Sequence, residues 1–165
     1  MDDAPTVSKA VRFIHQYFDR KKKGKKYNRR SDLMPADLAP YLPCFTILDL
    51  IRPAVGAASS EKDTAYSMQD GRFRLVGTRV AVLYGEATGK SVAEHHGEEI
   101  LARVKKATEF CMQQQCNAIC RSVALAEDRP SLDVTLLYIP FSADDELVDQ
   151  FLVFADIQRV ELQDI

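Results

Sequence analysis

Apolar residues recur at Val7, Val11, Ile14 and Phe18, the spacing that lays one stripe along a helix. Ala10, Phe13 and Tyr17 widen the stripe, and Thr6 stands where an N-cap is expected. A basic run containing Gly24 is expected to end this helix. Pro35, Pro40 and Pro43 then restrict residues 31–43 to short turns, because proline removes a donor and biases the residue before it towards extended backbone. Phe45–Ile51 is a nearly continuous apolar run with one acid, Asp49, and reads as a buried strand. Residues 53–63, with a glycine, three alanines and two serines, read as a loop.

Alternation over 72–76 predicts a strand with Phe73 and Leu75 inward. Residues 79–84 form a short helical stretch, followed by Gly85 and Gly89 as turn residues. Glu98–Gln114 is the longest predicted helix, with Ile100, Val104, Ala107 and Cys111 in one stripe and Leu101 beside it. Glu98 and Glu99 suit the positive end of its dipole. Three further strands are expected over 117–125, 132–141 and 151–156. In the middle one, Leu132, Val134, Leu136 and Tyr138 alternate with Leu137, Ile139 and Phe141, so both faces are apolar and both need covering. The central helices suit one face. The N-terminal helix, or a second subunit, suits the other. The fold class is α+β: a five-stranded antiparallel sheet with helices inserted between strands two and three, plus an N-terminal helix. Residues 1–29 are read as that helix and a basic linker, and 30–165 as the sheet domain.

The chain has 165 residues, 46% hydrophobic and 28% charged, which suits one globular domain with an extension. No apolar run reaches membrane-spanning length and the N-terminus does not resemble a signal peptide, so a cytoplasmic location with reduced cysteines is expected. The net charge of −2 conceals an asymmetry. Arg20, Lys21, Lys22, Lys23, Lys25, Lys26, Arg29 and Arg30 form a run without an acid, leaving the rest of the chain strongly acidic. Such a run suits a solvated linker, or contact with nucleic acid or a membrane surface.

Several stretches resemble a known family. These are Arg30-Ser31-Asp32-Leu33-Met34-Pro35 with Leu42-Pro43, and Leu48-Asp49. Further along come Phe73-Arg74-Leu75-Val76-Gly77-Thr78 with Gly85 and Thr88-Gly89, and then Tyr138-Ile139-Pro140-Phe141-Ser142. Together they are similar to bacterial stand-alone PAS-like proteins of the PAS_5 type, over about residues 30–154. Met34 stands where an acid is commoner, Asp145-Glu146 occupies a turn where glycine is usual, and the 54–64 loop is long. The resemblance implies a sensing or docking fold and transfers no catalytic residue.

Candidate chemistry adds little to this. Gly85 to Ser91 looks like a phosphate-binding loop but has three residues between its glycines where four are needed, so a turn is expected. His95-His96 matches no metal motif and reads as the surface of a helix start, although either imidazole leaves haem ligation open. Cys111, Cys116 and Cys120 match no zinc spacing and read as small packed hydrophobes. Asn117 to Arg121 resembles a flavin-reactive cysteine motif, yet it lies on a strand after the long helix, so flavin chemistry is rejected. Arg121 shares a strand face with Ile119, Val123 and Leu125, and there it needs a salt bridge, a route to solvent or a ligand carboxylate or phosphate.

The expectation is therefore a sensory or regulatory module, not an enzyme, with no output domain of its own and an unidentified signalling protein as partner. Its small-molecule pocket is expected around Tyr84, Leu101, Val104, Ile119, Arg121 and Tyr138. A homodimer is expected, with Val7, Val11, Ile14 and Phe18 in the interface. The alternatives are an interaction adaptor with a filled core, or an anionic-surface binder acting through 20–30.

Overall fold

The computed structural model describes residues 7–55, 64–122 and 132–159. Thr6, the end of the loop read over 53–63 and the end of the strand read over 117–125 lie outside them. Helix α1 spans Lys9–Lys22 and is capped by Ser8, whose hydroxyl accepts from the Val11 amide at 3.2 Å. The helix ends inside the basic run, as expected. Arg20, Lys21 and Lys22 form its last turn, where cations complement the dipole, and the chain turns out at Lys23 and Gly24, both with positive φ.

A 3₁₀ turn (Arg30–Asp32), the single helical turn α2 (Pro35–Leu38) and a second 3₁₀ stretch (Ala39–Cys44) lead into β1 (Phe45–Ile51). Then follow β2 (Asp70–Val76), α3 (Thr78–Tyr84), α4 (Val92–His96), α5 (Glu98–Gln114), β3 (Ala118–Ser122), β4 (Leu132–Phe141) and β5 (Gln150–Arg159). The sheet order is β2-β1-β5-β4-β3, antiparallel at every pairing.

Both faces of the sheet are covered. On one, Phe45, Ile47, Leu137, Ile139, Phe141, Leu152 and Phe154 pack with Val11, Ile14, Tyr17 and Phe18 of α1. On the other, Leu48, Tyr138, Phe151 and Val153 pack with Leu101, Ala107, Cys111 and Met112 of α5. A smaller cluster holds Val80 of α3 against Val134, Ala155 and Ile157.

This arrangement corrects the expected subunit interface. Val11, Ile14 and Phe18 are fully buried within the chain itself, and Val7 packs on the same cluster. Burial of each such side chain is worth about 1.5–3 kcal/mol, and the chain's own sheet already supplies it. The linker is also shorter than expected. Asn28 is fully buried, its Nδ2 donating to the Phe18 carbonyl at 2.7 Å and to Asp32 Oδ2 at 3.0 Å. The Ser142 amide donates to the Asn28 carbonyl at 2.9 Å. Asp145, at φ 62°, accepts from the Lys26 and Tyr27 amides at 3.2 and 2.9 Å. The β4–β5 turn thus clips the basic segment to the sheet.

One strand differs from its alternation. Ile47 pairs with Leu75 while the next residue, Leu48, pairs with Phe73, so Arg74 is a bulge residue. Phe73 and Leu75 therefore fall on opposite faces: Phe73 joins the core beneath α5 and Leu75 remains 44% exposed. The displaced Arg74 grips Asp49, with Nη2–Oδ2 at 2.8 Å and Nε within 3.1 Å of both carboxylate oxygens.

Candidate ligand-binding site

Among the described residues, a cavity and a groove lie between the sheet and its inserted helices. The inner one is a cavity of about 80 Å³ whose wall includes Tyr84 from α3, His96 from α4, Val104 from α5 and Tyr138 from β4. The outer one is a groove of about 680 Å³ between α5 and β3, floored by Ile100, Val104, Ala107 and Leu136. Ile100, Val104, Leu136 and Tyr138 border both, so the spaces adjoin across these four side chains. The volume of the groove falls within the range of small-molecule sites, and that of the cavity below it.

The expected pocket residues divide between these spaces. Tyr84 lines the cavity, and Val104 and Tyr138 line both spaces. Leu101 lines neither; it is buried in the core between α5 and the sheet. Ile119 and Arg121 do not point inward among apolar groups. Ile119 pairs with Leu137, which lies under α1, so these two residues sit on the far face of β3, exposed, and meet the groove as its outer rim. Because β3 is an edge strand, its side chains of both faces reach the groove mouth. Arg103, Lys106 and Phe110 were not anticipated. The signal was present: Phe110 follows Val104 and Ala107 on α5 and remains 49% exposed, an apolar residue beside the stripe with nothing described over it.

The groups around the cavity are held neutral. Burial raises the Tyr84 phenol, and its hydroxyl has no hydrogen-bond partner among the described residues. Burial, then the Cys120 and Cys111 thiols, raises that of Tyr138. Cys111 is pushed up to about 12, chiefly by burial, which makes it an inert packing thiol. The two histidines end α4 instead of starting a helix, after a capping box between Ser91 and Glu94. His95 donates from Nε2 to the Tyr84 carbonyl at 2.9 Å. His96 stands edge-on to Phe73 and Tyr84, and burial, then His95, lowers its pKa to about 4. The cavity that His96 lines holds about 80 Å³, and among the described residues no histidine lines the groove. Among the described residues no group of three or more His, Cys, Asp or Glu could hold a metal ion.

The phosphate-loop look-alike is a staple for β2. The Thr88 amide donates to Glu86 Oε1, that of Gly89 to the Phe73 carbonyl at 2.7 Å, and that of Lys90 to the Ala87 carbonyl. No amide of the three is left for a phosphate. In return, the Phe73 amide donates to the Lys90 carbonyl, which closes the outer edge of β2. Gly77 is equally structural: a Cβ there would lie 2.3 Å from the Pro43 carbonyl oxygen. Among the described residues no helix is long and apolar enough to cross a membrane.

At the basic segment, Lys21, Lys22, Lys23, Lys25 and Arg29 surround a polar depression of about 260 Å³ with Ser31 and Asp32. Lys21 also lies 5.4 Å over the Tyr17 ring, and Lys22 pairs weakly with Asp19 at 3.9 Å.

Comparison with known proteins returns one family. The PAS_5 family, described as a PAS domain, matches residues 63–154. No curated protein and no solved structure matches the chain. The matched span begins after β1, and the structure shows what precedes it: β1 completes the sheet between β2 and β5, and α1 covers one face. The five-stranded order, the helices between β2 and β3 and a match over more than half of the length agree, and this chain belongs to the PAS_5 family of PAS domains.

Proposed function

We propose that this PAS domain is a regulatory module that binds a small molecule in the α5–β3 groove and passes the signal to a protein partner. PAS domains are sensory and regulatory modules, and the groove supports the finer reading. It is large enough for a ligand, apolar at its floor and adjacent to an inner cavity. Among the described residues no carboxylate and no imidazole lines it, so those residues offer binding groups without the acid–base pair that hydrolytic sites use.

One contact suggests a route for the signal. Asn117 borders the groove, and its Nδ2 lies 2.9 Å from His15 Nδ1 on α1, the helix that covers the opposite face. A ligand that shifts Asn117 moves the hydrogen bond holding α1. The test is native mass spectrometry of the purified full chain, with a Val104→Trp variant that fills both spaces. An added mass present in the unmodified protein, lost on denaturation and absent from the folded variant, is the expected result. Equal adducts on both proteins would place the ligand elsewhere, and no adduct from any preparation would count against a small-molecule role.

A further inference from the structure

The rim of the groove differs in character from its floor. Arg103 and Lys106 project from α5 on one side and Arg121 from β3 on the other. Among the described residues no Asp or Glu lines the groove. Among the described residues the acid paired with this rim is Glu99, 3.6 Å from Arg103, in a pair whose side chains are 86% and 50% exposed. Such an exposed contact holds the guanidinium only weakly. Lys106 and Arg121 make no ion pair with a described residue. Below the cations, Ile100, Val104, Phe110 and Leu136 form a continuous apolar surface. Along α5 the groove extends from Ile100 to Phe110, roughly 15 Å at about 1.5 Å per residue.

An apolar trough of that length, open along one side and edged by three cations, fits an elongated amphiphile with a single negative end. We propose that the groove binds a free long-chain carboxylate. The acyl chain lies against Ile100, Val104 and Leu136 towards the inner cavity, and the carboxylate sits at the mouth between Arg103, Lys106 and Arg121. A neutral lipid would leave the cations without a counter-charge, and a cationic one would be repelled. A polar anion such as inorganic phosphate would leave the apolar floor in water. This inference rests on the groove being the ligand site, as proposed above.

Dodecanoate, dodecan-1-ol and dodecyltrimethylammonium, each below its aggregation threshold, separate the two claims by calorimetry on the full chain. Dodecanoate is expected to bind about tenfold more tightly than the alcohol at low salt, the advantage shrinking as salt is added. The combined Arg103→Gln, Lys106→Gln and Arg121→Gln variant should lose that advantage while binding the alcohol unchanged, its thermal unfolding showing that it still folds. Val104→Trp should weaken both. Equal binding of dodecanoate and the alcohol, or a preference that survives in the triple variant, overturns the carboxylate and leaves the apolar site standing. No binding of any of the three overturns the groove as a ligand site as well, and it then belongs to a protein partner.

Discussion

His96 carries its neutral form into the fold, and this has a measurable sign. Its pKa lies at about 4 in the folded chain against 6.5 for a free imidazole, burial being the main cause. The unfolded chain therefore binds the extra proton between these values, and stability is complete above 6.5 and lost as pH falls towards 4. For a fully buried ring the difference corresponds to about 3 kcal/mol; with this ring only partly buried, about 1–2 kcal/mol is expected. Asp49 and Asp145 act in a lower window. Desolvation opposes their ionisation, but the Arg74 and Gln150 hydrogen bonds to Asp49, and the Tyr27 and Lys26 amides on Asp145, outweigh it. Their folded pKa values lie below 3.8, so their contribution is present above that pH and disappears beneath it. Chemical denaturation across pH 4–7 should show a slope that His96→Asn flattens, and an unchanged slope would assign it elsewhere. Tyr84 offers a second test. Its buried hydroxyl lacks a partner among the described residues, so Tyr84→Phe should stabilise the ligand-free protein by about 1 kcal/mol, read as a higher Tm. A lower Tm would reveal a partner for the hydroxyl. Neither role was legible in the sequence, because a histidine pair without a metal motif says nothing of which ring is buried. Arg121 misled for a related reason: strand alternation gives its face, but only the sheet order shows that this face lies at an open edge.

Most elements were legible, and the departures share a cause. The β1, β4 and long-helix boundaries follow from runs whose periodicity is unbroken. Periodicity fails at β2, where the bulge at Arg74 inserts a residue and reverses the side chains beyond it. No local pattern announces a bulge, since it is defined by the partner strand. The basic run contributes the last helical turn, because Lys and Arg are good helix formers and their charge suits a C-terminus, and the helix ends where Lys23 and Gly24 turn the chain. The Asp145 turn combines both kinds of information. Glycine is usual there, and the φ of 62° explains why, but the aspartate adds a carboxylate that holds two amides of the basic segment. Asp145→Ala should therefore cost about 1–2 kcal/mol in thermal unfolding, and Asp145→Asn less, since asparagine keeps an acceptor and tolerates the backbone. Hydrogen exchange at the Lys26 and Tyr27 amides should rise in the alanine variant. Unchanged exchange would show that the carboxylate does not hold them.

At the scale of the molecule, α1 belongs to the core of its own chain. Ile14→Asp places a carboxylate among Phe45, Leu152 and Phe154 without a partner, at a cost comparable to the stability of a small domain. The expected result is loss of cooperative unfolding by circular dichroism, not folded monomers released from a dimer; a folded, soluble variant would mean that α1 is dispensable. The layout was legible from the two apolar faces of β4, whereas its cover was not, because sequence leaves a helix free to dock in cis or in trans. The sheet order has a further consequence, for the chain as it is made. β1 sits between β2 and β5, so the first strand waits for the last. β5 leaves the ribosome about a hundred residues after β1, on the order of 5–20 s later at roughly 5–20 residues per second. For most of that interval α1 can rest only on β1, because the β4 and β5 residues of its core have not yet been made. The nascent chain is thus a natural client for holding chaperones, and its yield in a cell depends on how they bridge those seconds.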